Sequence, residues 1–84
     1  MIVWLRCKLD IGMFSDEIAV TYPAAPSERF QTSVFVPSCY VRGECEHQGE
    51  VMVELFIENG SRYAVLPNSE RDIVSVKEED LRQQ

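Results

Sequence analysis

Cys39, Cys45 and His47 are the residues whose types could bind a metal, and all three fall in one short segment of the chain. Thiolates and imidazole are preferred zinc ligands, and Cys7 would complete a tetrahedral set. Structural zinc sites usually contain a close Cys-x2-Cys or His-x3-His pair, whereas five residues separate the two cysteines here and one separates Cys45 from His47. These residues are therefore weak candidates for a metal site, and we expect no metal and no cofactor.

The same residues are also the only candidates for nucleophilic catalysis, because a cysteine nucleophile needs a base and His47 is the only histidine. The glutamates at 44, 46 and 50 would raise the pKa of a nearby thiol, which opposes formation of the reactive thiolate. The four glycines are isolated from one another, so no phosphate-binding loop is present. We therefore expect that the protein is not an enzyme.

Length and charge narrow the remaining function classes. With 84 residues the chain has room for one domain, which we place at residues 1–84. Its net charge is −6, and residues 42–58 contain five glutamates and one arginine, a local charge of −4. Such a surface repels phosphate backbones and anionic lipids, so we expect neither nucleic acid nor membrane as a partner.

The N-terminal segment and the cysteine count predict a cytoplasmic protein. The apolar start of the chain meets Arg6, Lys8 and Asp10 before a signal-peptide core of adequate length is reached. Three cysteines cannot all pair within one chain, and a chain of this size in an oxidising compartment more often has an even number. We expect reduced thiols.

Alternation of apolar and polar residues predicts short strands throughout the chain. It is clearest from Val3 to Ile11, where the odd positions are apolar and the even ones include Arg6, Lys8 and Asp10. Further strands are predicted at 18–22, 30–36 and 73–76, with a proline-containing surface loop at 23–29.

Asn59-Gly60 predicts a β-hairpin, because this dipeptide readily adopts the two positive φ angles of a tight hairpin turn. A two-residue turn would pair Phe56 with Tyr63 and Leu55 with Ala64. The apolar face that results is suited to a core and consists of Val53, Leu55, Ile57, Ala64 and Leu66.

Six short strands with no crossover helix predict an all-β antiparallel meander, which would close as a small barrel of Src-homology size. The alternative is an open antiparallel sheet covered by oligomerisation.

Residues 35–41, FVPSCYV, resemble a segment near the end of Src-homology-3 domains, where a strand runs into a short helical turn. In that family the proline and tyrosine help line a groove for proline-rich peptides, so the resemblance implies that Pro37 and Tyr40 lie on a binding face. It covers seven residues in mid-chain, without the family's acidic loop and paired tryptophans.

Four aromatic residues fall opposite the main apolar set of their own strands. They are Trp4, Phe35, Phe56 and Tyr63. Such residues need cover, either from a second layer of the same fold or from a partner.

We expect a non-catalytic interaction module that self-associates, most simply as a dimer, through an edge strand or an aromatic patch including Trp4, Phe56 and Tyr63. The alternative partner is a different protein. The alternative function is binding of a small, cationic molecule by these aromatics and a glutamate such as Glu54.

Overall fold

The computed structural model describes residues 1–25 and 30–84, and these residues form one eight-stranded antiparallel sheet. Two single turns of 3-10 helix, Ser38–Tyr40 and Glu78–Asp80, are the helical elements of the described part of the chain. The strands are β1 (Ile2–Ile11), β2 (Glu17–Tyr22), β3 (Thr32–Pro37), β4 (Val41–Gly43), β5 (Gln48–Glu58), β6 (Ser61–Val65), β7 (Ile73–Ser75) and β8 (Leu81–Gln83).

The strand order is β3-β2-β1-β5-β6-β7, with β4 added to β5 and β8 added to β1. The sheet is nearly closed and has the shape of a small barrel, which confirms the predicted fold class. Two strands more than the predicted six are present. Both of the additional strands, β4 and β8, are three residues long and follow a 3-10 turn, so they are too short to show alternation in the sequence. Residues 26–29 of the predicted surface loop lie outside the described residues.

The predicted alternation in β1 places its odd positions inside the barrel. Leu5 and Cys7 are fully buried there, and Leu5 pairs with Val51 of β5 on one side and with Leu81 of β8 on the other. Complete burial of a leucine side chain contributes roughly 1.5–3 kcal/mol to stability. The centre of the barrel therefore lies between β1 and β5.

The β5–β6 hairpin has the predicted turn and register. Asn59 and Gly60 have φ angles of 52° and 80°, and Phe56 lies opposite Tyr63. Ile57 departs from the predicted core face, since 63% of its side chain is exposed. It lies two residues before the turn, where the hairpin extends beyond the residues that fill the barrel.

The two halves of the chain, β1–β4 and β5–β8, have the same pattern of strand pairing. β1 pairs with β2 as β5 pairs with β6, and β2 pairs with β3 as β6 pairs with β7. In each half a 3-10 turn leads into a last short strand, and that strand pairs with the first strand of the other half. The fold is therefore a pseudo-two-fold arrangement about the β1–β5 pair.

The registers of the two halves are equivalent as well. Val41 opposite Val51 corresponds to Leu81 opposite Leu5. The backbone hydrogen bond from Leu9 to His47 corresponds to the one from Leu55 to Met1. The sequence agrees with this equivalence in two places: Pro23 and Pro67 follow the second strand of each half, and Arg42 corresponds to Arg82.

Candidate functional site

Trp4 lies half-buried on the outer face of the barrel, under the side chain of Arg42. The guanidinium carbon of Arg42 is 4.0 Å from the centre of the Trp4 ring. This is a cation–π arrangement. The cover that Trp4 needs is thus supplied within the chain itself.

Glu50 lies beside Trp4 and accepts hydrogen bonds from two arginines. Arg42 Nε is 2.7 Å and Arg82 Nη2 is 2.6 Å from the same oxygen, Glu50 Oε1. Partial burial of Glu50 raises its pKa, but the hydrogen bonds from Arg42 and Arg82 outweigh this effect and hold the pKa below its usual value. Glu50 therefore stays ionised and holds β4 and β8 to the central strands.

Asp80, in the second 3-10 turn, forms a second polar network with residues of β1 and β2. Its carboxylate accepts hydrogen bonds from Arg6 Nη2 at 2.8 Å and from the Tyr22 hydroxyl at 2.7 Å. The Tyr22 oxygen in turn accepts a hydrogen bond from the backbone N–H of Lys77 at 3.1 Å. This network raises the pKa of Arg6 through its hydrogen bond to Asp80. These hydrogen bonds connect the second 3-10 turn to β1 and β2.

Phe56 and Tyr63 stack on each other across the hairpin. Their ring centroids are 5.4 Å apart, with an angle of 24° between the ring planes. Trp4 lies opposite Met52, four residues from Phe56 along β5, which corresponds to about 13 Å. Glu54, the predicted cation-binding carboxylate, is exposed and lies 3.7 Å from the N-terminal amino group. The structure thus separates Trp4 from the Phe56–Tyr63 pair along the sheet.

Phe35, another of the predicted aromatic residues, lines a cavity. About half of its side chain is exposed, in a groove of about 840 Å³ that we call the β3 groove. The groove runs along β3, between the β1–β2 loop and the segment before β7. Its apolar lining comprises Met13, Phe14, Val34, Phe35, Val36, Pro37, Tyr40 and Pro67.

The β3 groove also contains four carboxylates, and none of the described residues that line it is a lysine or arginine. The carboxylates belong to Asp16, Glu17, Glu70 and Asp72. Both walls are held by hydrogen bonds: Met13 N donates to Glu17 Oε1, and the buried Asn68 donates to Asp72 Oδ2 at 2.9 Å. The β3 groove is therefore acidic and lined by aromatic side chains, and hydrogen bonds fix its walls.

The two halves of the chain differ at the residues around the β3 groove. Tyr40 ends the first 3-10 turn and is 39% exposed, whereas Asp80 at the equivalent position is engaged by Arg6 and Tyr22. Lys77 and Ser75 stand at the positions equivalent to Pro37 and Phe35. Equivalent backbone positions thus carry hydrogen-bonded polar side chains in one half and exposed apolar side chains in the other.

The three cysteines lie where an ordinary β domain would place them. Cys7 is buried in the core, Cys39 is exposed on the first 3-10 turn, Cys45 is half-buried in the following loop, and all three are free. Burial raises the pKa of the Cys7 thiol to about 12, with a smaller contribution from the charge of Glu50. The histidine of the weak metal-site candidate, His47, is exposed and lies 3.9 Å from Glu44. Among residues 1–25 and 30–84, no group of three or more His, Cys, Asp or Glu side chains is placed to hold a metal ion.

Comparison with known proteins gives no match to a family model, a curated protein or a solved structure. In the part of the chain that the structure describes, no helix has the length and apolar character needed to cross a membrane. The functional assignment consequently rests on the geometry of the molecule.

Met13 and Phe14 were not among the residues that the sequence marked as candidates. They lie in a segment, GMFSDE, whose composition indicates only a bend, although 74% of Met13 and 68% of Phe14 are exposed. The resemblance of residues 35–41 to a Src-homology segment did place Pro37 and Tyr40 on a common face, and the structure brings both into the β3 groove. The predicted strand and turn of that segment correspond to β3 and the turn Ser38–Tyr40.

Replacing Glu50 with Gln should make stability less dependent on pH. A carboxyl group whose pKa is lowered by folding stabilises the protein above its unfolded pKa of about 4.3, and this stabilisation is lost as the pH falls through the folded value. Because the side chains of Arg42 and Arg82 are 44% and 64% exposed, solvent weakens their attraction to Glu50, and we expect E50Q to cost about 1 kcal/mol at neutral pH.

Urea denaturation at a series of pH values measures this effect, with the exposed Glu58→Gln as the matched control. The difference between wild type and E50Q should shrink towards zero as the pH falls through the folded pKa of Glu50. A difference that stayed constant from neutral to acidic pH would show that the loss is one of packing and not of charge.

Proposed function

We propose that the protein is a non-catalytic interaction module that binds an extended, basic segment of a partner protein in the β3 groove. The observation that carries this proposal is the combination of three exposed aromatic side chains with four carboxylates in the β3 groove. The aromatics are Phe14, Phe35 and Tyr40, which are 68%, 46% and 39% exposed. Exposed apolar surface of this kind usually marks a site of interaction.

The position of the groove favours an extended segment as the occupant. β3 is one end of the strand order, and no described strand pairs with its outer edge. Five consecutive residues of β3, from Ser33 to Pro37, line the groove. A segment lying in the groove could therefore add to the sheet through backbone hydrogen bonds while its side chains contact the aromatic lining.

The charge of the groove favours basic side chains in that segment. Lysine or arginine side chains would find carboxylates on both walls, at Glu17 and at Glu70, and aromatic faces between them. The net charge of −6 would also attract a basic partner at long range.

A non-catalytic role is supported by the residue types in the groove. Its described lining includes Ser33 and Ser69 but no histidine, cysteine or lysine that could activate a nucleophile. The carboxylates of the 68–72 turn are hydrogen-bonded to Asn68, which is consistent with a structural role and with a fixed negative charge.

Fluorescence anisotropy with a short synthetic peptide in which lysine alternates with valine tests the proposal. We expect saturable binding that weakens as salt is added, no binding of the matched peptide with glutamate in place of lysine, and a loss of affinity of about tenfold or more for Phe14→Ala. Ile57→Ala is the control, because Ile57 is similarly exposed but lies outside the groove.

Equal binding of the two peptides, or equal affinity of F14A and I57A, would contradict the proposal, as would the absence of binding. Benzyltrimethylammonium provides a further arm of the experiment. If this small cation bound saturably and the lysine peptide did not, the function would be recognition of a small cationic molecule.

Self-association is the second candidate function, and the open edge of β3 favours it. Two copies could pair their β3 strands across a two-fold axis and cover Phe35 in both. The carboxylates beside β3 oppose this arrangement, because pairing would bring two acidic grooves together.

Light scattering on a sizing column over a dilution series measures the mass in solution. If the β3 edge forms a dimer, Phe35→Lys should lower the mass to that of a monomer, while Tyr63→Ala should leave it unchanged. Loss of the dimer in Y63A alone would place the interface at the Phe56–Tyr63 pair, and a monomer at every concentration would exclude self-association.

A further inference from the structure

Three arginines surround an open depression on the outer face of the barrel, away from the β3 groove. We call Arg6, Arg42 and Arg82 the arginine cluster. With Gly43, Gln48, Gly49 and Glu50 they line a cavity of about 470 Å³. The described lining thus has three positive charges and one negative charge, and Asp80, outside the lining, pairs with Arg6 at 2.8 Å. An excess of one positive charge remains, on a protein whose net charge is −6.

This excess of positive charge arises from a difference between the two halves. Arg42 and Arg82 occupy equivalent positions, each on the outer face of a last short strand, so a fully symmetric chain would give each arginine its own carboxylate. The equivalent of Glu50 in the first half is Trp4, and both guanidiniums consequently share one oxygen of Glu50, at 2.7 and 2.6 Å. Two guanidinium charges on one carboxylate oxygen leave positive charge that an anion could neutralise.

Close packing of β4 against β5 fixes the floor of the cavity. A Cβ atom at Gly43 would lie 2.8 Å from the Cα of Gly49, and one at Gly49 would lie 2.5 Å from the carbonyl oxygen of Arg42. The absence of both side chains lets the strands approach and brings Arg42 alongside Glu50. Arg6 lies on the other side of Glu50, as its partner in the β1–β5 register.

We propose that the arginine cluster binds a phosphate group. Its guanidiniums offer the paired N–H donors that match phosphate oxygens, and the side chains of Arg6 and Arg82 are 50% and 64% exposed. Because Asp80 already pairs with Arg6 at 2.8 Å, the cluster with Glu50 and Asp80 has a charge of +1, which a phosphate group would neutralise. The bound group would take over part of the hydrogen bonding that Arg42 and Arg82 now give to Glu50.

Trp4 provides a built-in reporter of this site. It is the only tryptophan in the chain, and Arg42 lies directly over its ring. Movement of the Arg42 guanidinium towards an anion would change the environment of the indole. Phosphate binding should therefore change the fluorescence of Trp4, although the anion does not contact the ring.

Titration of the intact protein with inorganic phosphate, at an ionic strength held constant with sodium chloride, tests the proposal. We expect a saturable change in Trp4 emission and an affinity about tenfold lower in Arg82→Gln. Lys8→Gln is the control, because Lys8 is also a partly exposed cation but lies outside the cavity. Circular dichroism verifies that both variants are folded.

The line width of the ³¹P resonance of phosphate gives a second readout that does not depend on tryptophan. Broadening by wild type and K8Q, with little broadening by R82Q, would support the site. A linear response without saturation, or equal affinities of R82Q and K8Q, would overturn it. Comparison of free phosphoserine with a phosphoserine-containing peptide then shows whether the phosphate belongs to a small molecule or to a partner protein.

Discussion

The antiparallel pairing of β1 with β5 is the contact on which the rest of the structure depends. Its register runs from Ile2 opposite Glu54 to Lys8 opposite Gln48, and every other strand is attached to one of these two directly or through a hairpin. The last strand of each half, β4 or β8, also pairs with the first strand of the other half. Neither half can therefore complete its own sheet, and the barrel should form as one cooperative unit.

Divergence of the two halves on this shared framework accounts for the surfaces of the molecule. Around the second 3-10 turn, Asp80, Arg6 and Tyr22 satisfy one another's hydrogen bonds. Around the first turn, Tyr40 and its neighbours remain exposed and line the β3 groove. The arginine cluster arises in the same way, since Trp4 stands where symmetry would put a second carboxylate. We interpret the departures from two-fold symmetry as the functional positions.

The sequence predicted local features well and the site only in part. The Asn59-Gly60 turn fixes the hairpin register by itself, and the alternation in β1 identifies Leu5 and Cys7 as core residues. The β3 groove could not be predicted in the same way, because it combines a bend, an edge strand and a turn that are distant in sequence. Cover of Trp4 from the same fold was one of the two alternatives, but the residue that supplies it could not be predicted, since strand alternation does not reveal that Arg42 from another strand lies over the ring.

Native-state hydrogen exchange, read residue by residue by NMR, tests the central role of the β1–β5 pair most directly. The account predicts that the slowest amides lie in β1 and β5 and exchange with one common free energy, equal to that of global unfolding, in both halves. It also predicts faster exchange at the outer edge of β3. If one half exchanged through an opening of much lower free energy while the other stayed protected, the halves would be independent units and the account would be contradicted.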